Sequence, residues 1–362
     1  MTDRDRYVRC LLGQEVDRPP FMTVFGPWGT AWNRWRREGA PFETWGEAAA
    51  SFGFDAGRQT IPVNAGPCPA RQTQVLEESD EFVIWVDTWG IKRRNPKDHE
   101  SMSEFLEFPV KDWDDWRAYK RRWLDPAHPD RLAGDWRTTV ADWTARGVPI
   151  GLGNFPDVGV FGSLRWLLGD EECLISFYTQ PDLVRDIMNS MTDIYVRVFD
   201  AVASEVLVDE LHIWEDMSGR QGPLISPAHW EEFMGPCYRR LRDLAERHGI
   251  PLMSVDTDGN PNLIVPPMMR NGVNVLYPLE VAAGCDINPM QAQYPSLGML
   301  GGFDKRAIAK GAAAIDAELA RIAPAVRRGR YIPTPDHLIP DDVAWENYRY
   351  FATALKRLVG KC

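Results

Sequence analysis

The chain has 362 residues, a formal net charge of −11 at pH 7, 44% hydrophobic and 26% charged residues. That supports a full core, and α/β barrels run past ~250 residues as one domain, so residues 1–362 are read as a single domain. The acidic balance argues against nucleic acid or an anionic membrane surface as partner, because both need a basic face to release counterions. Met1 to Arg9 is charged and lacks the apolar core of a signal peptide, and no apolar run approaches ~18 residues, so a cytoplasmic protein is expected. Six cysteines (Cys10, Cys68, Cys173, Cys237, Cys285, Cys362) lie far apart without a CxxC pair. They are expected to be small buried hydrophobes rather than a disulfide or zinc framework.

In chain order, Arg4–Leu12 predicts a short helix that Arg18-Pro19-Pro20 stops, launching the apolar run Phe21–Phe25. Trp28, Trp32, Trp35 and Trp45 crowd the next stretch, either as core packing or as an aromatic wall for a substrate. Phe82–Asp87 and Ile91–Arg94 around Gly90 predict a hairpin, and Asp112–Trp123 a helix. The first 147 residues are otherwise irregular. From there a regular rhythm sets in: helix 138–146, strand 148–153, helix 181–204, strand 210–214, helix 229–248 capped by Ser226-Pro227, and strand 251–255. Helix 260–271 closed by Gly272 follows, then strand 273–277, a short helix near Pro289, strand 297–300, helix 312–328, strand 331–334 and helix 342–358. Alternating strands and helices without a GxGxxG turn predict a (β/α)8 TIM barrel with an irregular N-terminal extension and hairpin.

In such a barrel the residues just after each strand converge on one mouth. Here they are Asn154, Glu215, Asp216, Asp256, Asp258, Glu280, Asp304, Asp336 and His337. Each carboxylate singly is a cap or loop residue by default; their convergence is the signal. Glu215, Asp216, Asp258 and His337 are the candidate catalytic groups. Asn154, Glu280 and Asp304, with Phe25 and Trp28, are the candidate substrate contacts. Asp256, Asp258 and His337 carry the chemistry of a hard divalent metal site, or else the aspartates cap the following helix and His337 serves as acid, base or donor. No G-x-S-x-G elbow, Walker A loop or thiolate motif is present, which disfavours acyl transfer and nucleotide hydrolysis.

Taken together, Glu215-Asp-Met-Ser-Gly219, Gly222–Pro236, Leu300-Gly-Gly-Phe-Asp304, Pro335–Asn347 and Arg18-Pro-Pro20 resemble segments of the uroporphyrinogen decarboxylase superfamily. The resemblance spans the chain, most specifically residues 210–347. It implies a (β/α)8 barrel with its site at the C-terminal mouth, and a homodimer. One branch decarboxylates a tetrapyrrole without cofactor, using two arginines after the opening strand. Here that place reads Met22-Thr-Val-Phe-Gly-Pro-Trp28, so uroporphyrinogen itself does not fit, though Arg34, Arg36 and Arg37 lie nearby. The other branch, corrinoid- and coenzyme-M-linked methyltransferases, holds zinc on H-x-C-G-N, which here is Asp256-Thr-Asp258-Gly-Asn260, with the third ligand at or beside His337.

The resemblance therefore implies a methyltransferase that moves a methyl group from a small O- or N-methylated compound to a corrinoid protein. A divalent metal, zinc or harder, is a candidate cofactor on Asp256, Asp258 and His337. The rival expectation is a cofactor-free decarboxylase or lyase acting on a smaller acid, and a third is a barrel that only binds a ligand.

Overall fold

The computed structural model describes residues 1–98 and 102–361; Cys362 lies outside them. In chain order its strands are β1 Gln59–Thr60, β2 Gln74–Glu78, β3 Phe82–Val86, β4 Lys92–Pro96, β5 Glu104–Glu107, β6 Ile150–Leu152 and β7 Glu210–Trp214. They continue as β8 Ser218–Gly219, β9 Gly222–Pro223, β10 Leu252–Asp256, β11 Val275–Leu279, β12 Gly298–Phe303 and β13 Tyr331–Pro335. A curled, seven-stranded parallel sheet runs β1-β6-β7-β10-β11-β12-β13, each strand beside its sequence neighbour in that set. This order is what successive crossover units produce, and it is compatible with a TIM-barrel-like fold.

Eight ladder-forming strands were the expectation, and the sheet has seven. Phe21–Phe25 forms no ladder among the described residues. It is held by single bonds instead: Asp55 N–H to Phe21 O at one end, and Val24 N–H to the Thr334 hydroxyl at the other. The predicted hairpin at residues 82–94 is present and belongs to a four-stranded antiparallel sheet, β2-β3-β4-β5. Charged, exposed flanking strands hid β2 and β5, because their pattern lacks the buried face that marks a strand. The helices Val160–Leu168 and Asp170–Thr179 are also additions, and the predicted helix at 260–271 shortens to Val265–Arg270.

Alternation along the strands divides the apolar residues into two cores. Met253, Val255, Leu276, Met299 and Tyr331 face outward into the main core against the helices. Leu252, Val275, Tyr277, Leu300 and Ile332 face into the lumen, where Tyr7, Cys10 and Leu11 of the first helix, Asp3–Leu11, plug the lower end. Trp35 is fully buried, its ring 5.4 Å from Trp345 and 4.7 Å from Tyr348, and Trp32 and Trp45 pack around it. For these three tryptophans the packing reading holds. No helix among the described residues is long and apolar enough to cross a membrane.

One buried carboxylate clamps the entry of the unladdered segment. Asp55 accepts from both Nη atoms of Arg18 (2.6 and 2.7 Å), from Lys361 Nζ (2.6 Å) and from Phe21 N–H (2.8 Å). Burial alone would raise its pKa, but these donors outweigh it and hold the carboxyl below the usual range. A depressed pKa stabilises the fold above the unfolded value and that contribution disappears as pH falls through the folded one. Asp55→Asn should therefore cost about 3 kcal/mol at neutral pH. Urea melts at stepped pH should show that difference shrinking in acid, below ~4.

Candidate functional site

Glu215 and Asp216 follow β7 and point to opposite fates. Glu215 is fully buried: it accepts the N–H groups of Val160 (3.0 Å), Phe161 (2.6 Å) and Gly162 (2.9 Å) and the Tyr238 hydroxyl (2.6 Å). It satisfies the free donors at the start of the helix Val160–Leu168, where the helix dipole also favours negative charge. Burial still pushes its pKa up to about 7 against those four donors. The expected catalytic role does not fit, because both oxygens are spent beneath the mouth. Gly159 allows the close approach: a Cβ there would lie 1.9 Å from Trp214 O.

Asp216 turns outward with φ of 42°, a left-handed conformation that non-glycine residues adopt at a cost. Arg165, on the same helix that Glu215 anchors, donates from Nη1 to both the Asp216 carbonyl and its Oδ2 (2.8 Å). Burial raises the Asp216 pKa, Arg165 opposes it, and the Asp258 charge adds to the rise.

At the end of β10, Asp258 Oδ2 stands 3.5 Å from His337 Nε2. The His337 ring stacks on Phe25 with centroids 4.8 Å apart and planes at 24°. So the segment Phe21–Phe25 delivers an aromatic face to the histidine after β13. Asp256 is one step deeper; no hydrogen bond to its carboxyl is formed among the described residues. Burial pushes its pKa well above the ordinary value, and the charges of Asp258 and Asp216 add to that, with Arg58 opposing. Its carboxyl is accordingly biased toward the neutral, proton-carrying form.

The other expected contacts are more dispersed. Glu280 Oε2 accepts from Gly259 N–H (2.9 Å) and so shapes the Asp258 loop. Asp304 is committed to Arg306 at 2.8 Å; burial would raise its pKa, but the Arg306 bonds bring it below the usual range. Asn154 is exposed after β6, and Trp28 donates its backbone N–H to Ile339 O, two residues beyond His337. The five described cysteines are all buried, with the Cys10 and Cys285 thiols pushed up to about 12, so none offers a thiolate.

The candidate metal set is not assembled as ligands. Asp258 and His337 meet, but among the described residues no three His, Cys, Asp or Glu side chains converge on a position that could hold a metal ion. What the sequence reading missed lies below Asp256. Arg58, just before β1, reaches into the lumen beside Tyr277, and His212 contacts the Ser254 and Tyr277 hydroxyls at 3.0 Å each. Arg58 gave no signal because it stands outside any periodic segment, just before a two-residue strand.

A family model described as uroporphyrinogen decarboxylase (URO-D) matches residues 169–358, more than half of the chain. Among solved structures, a methyltransferase from Methanosarcina mazei is similar over 99% of this chain and 99% of its own, with a TM-score of 0.62 at 16% identity. At that identity the likeness establishes the fold alone. No curated protein matches the sequence.

Replacing Glu215 by Gln puts an amide NH₂ against N–H donors and should cost about 3 kcal/mol. Chemical denaturation of Glu215→Gln against Asp216→Asn checks this; the second side chain is half-buried and bonded to Arg165 alone, so its loss should cost less.

Proposed function

The chain belongs to the uroporphyrinogen decarboxylase family, and within it we propose that this protein is a methyltransferase, taking a methyl group from a small O- or N-methylated compound and passing it to a corrinoid carried by a partner protein. The observation that carries the reading is Asp256: a carboxyl at the strand ends whose pKa burial and the Asp258 and Asp216 charges push well above the ordinary value, beside the Asp258–His337 pair, in a chain whose described cysteines are all buried. The reading takes the barrel as closed, with Phe21–Phe25 filling the gap between β13 and the stretch leading into β1.

When bound, a reduced corrinoid supplies the nucleophile, so the chain itself needs only to position, protonate and exclude water. As the carbon–heteroatom bond breaks, its electron pair stays on the heteroatom, and Asp256 delivers a proton there. Asp258 holds His337 against Phe25, fixing a flat face for the substrate, and Arg165 keeps Asp216 turned toward the same space. Since the aspartates and His337 do not converge as ligands, no step is routed through a metal.

The test is incubation of the full chain with methylated ethers and amines and Co(I) cobalamin, following loss of Co(I) absorbance and appearance of the demethylated product. Activity across the panel supports the reading; none, with CO₂ released from a carboxylic acid instead, moves it to decarboxylation. Asp256→Asn should lower the rate about 100-fold. A raised acid acts while protonated, so the wild-type rate should fall as pH rises through the Asp256 pKa, and the rate of Asp256→Asn should lose that alkaline limb. An unchanged limb removes Asp256 from the acid role.

A further inference from the structure

Beside Tyr277, the ladder neighbour of Asp256, lies a cavity of about 120 Å³. Tyr7, Thr23, Arg58 and Tyr277 give it polar walls, and Met22 and Leu300 apolar ones. A guanidinium inside a barrel is expensive to bury, and barrel interiors are ordinarily filled by branched apolar side chains. Its presence here is built in by the backbone. Gly151 of β6 leaves the groove along which Arg58 extends; a Cβ there would lie 2.6 Å from Arg58 Cδ.

The hydrogen-bond accounting for Arg58 leaves capacity over. Nη1 donates to Thr60 Oγ1 (3.1 Å) and Gly153 O (3.0 Å). Nε stands 3.4 Å from Glu210 Oε1, too far for a strong bond. Glu210 is itself divided, accepting from the Tyr7 hydroxyl (2.8 Å) and the Ser254 hydroxyl (2.5 Å). With Nε taken up by that ion pair, the N–H groups of Nη2 are the donors left over, and a carboxylate oxygen can accept from them. The Tyr277 hydroxyl lies beside them. Tyr277 is also the register partner of Asp256 in the ladder, so the cavity wall reaches the level of the Asp256 carboxyl.

We propose that this cavity is a subsite for a carboxylate carried by the methyl donor: Arg58 and Tyr277 receive the anionic end, and the methylated end rises to Asp256 and His337. The substrate class narrows to small methylated carboxylic acids. The inference rests on the mouth being the substrate site, but its test needs neither methyl transfer nor a corrinoid.

Saturation-transfer NMR on the full chain with acetate and propionate, against acetamide and propionamide as neutral isosteres, reads the subsite directly. The carboxylates should bind about tenfold more tightly than the amides, the margin a charge-assisted bond gives over neutral ones. Arg58→Gln should abolish the preference, and Tyr277→Phe should reduce it. If Arg58→Gln does not fold, Leu300→Phe fills the cavity while leaving the guanidinium in place, and it should displace both carboxylates. Equal binding of acid and amide, no binding of either, or undiminished acetate binding in folded Leu300→Phe overturns the proposal and leaves Arg58 as the counter-charge of Glu210. Demethylation of neutral substrates alone, with the acetate preference intact, would instead overturn the assignment of the mouth.

Discussion

The site depends on one buried carboxylate whose hydrogen bonds are all spent on the frame. Glu215 draws the N-terminus of the helix Val160–Leu168 against the end of β7, meeting three backbone donors and a tyrosine hydroxyl at once. With the chain pinned there, the next residue has to reverse direction, and Asp216 takes the left-handed conformation that sends its carboxylate into the mouth. The same helix then supplies Arg165 to hold it. Two successive acids are thus sorted by their surroundings: one becomes part of the frame and the other is displayed by it.

Above that frame the mouth concentrates negative charge, and its consequence falls on Asp256. A half-buried carboxyl flanked by Asp216 and Asp258 ionises less readily than a fully solvated one, which is the basis for proposing it as a proton donor. The opposing charge of Arg58 lies on the lumen side. There it is balanced in turn by the buried Glu210 carboxylate, 3.4 Å from its Nε.

The second half of the chain was legible because helices there bury one stripe and strands bury both faces, giving periods that residues 148–358 display openly. The helix 312–328 and the strand 210–214 match their sequence bounds. The strand-end positions of Asp216, Asp256, Asp258 and His337 were legible as well. The strand-end rule failed where position does not reveal role: Glu215 sits at a strand end yet is consumed by a helix terminus. It was blind to Arg58, which enters from a two-residue strand and is visible only once Gly151 is seen to make room for it. Phe25 was placed among the substrate contacts, but its stacking on a histidine more than three hundred residues away needed the tertiary fold.

Along β10, Leu252, Ser254 and Asp256 face the lumen in succession, while Met253 and Val255 face the helices. One strand thus contributes a plug contact, a hydroxyl in the buried polar network and a rim carboxyl at three depths. Substitutions at the middle depth can alter what the barrel admits without touching either the packing that closes its base or the groups that react at its rim. The base, the interior and the rim of the lumen can therefore vary independently along a single strand.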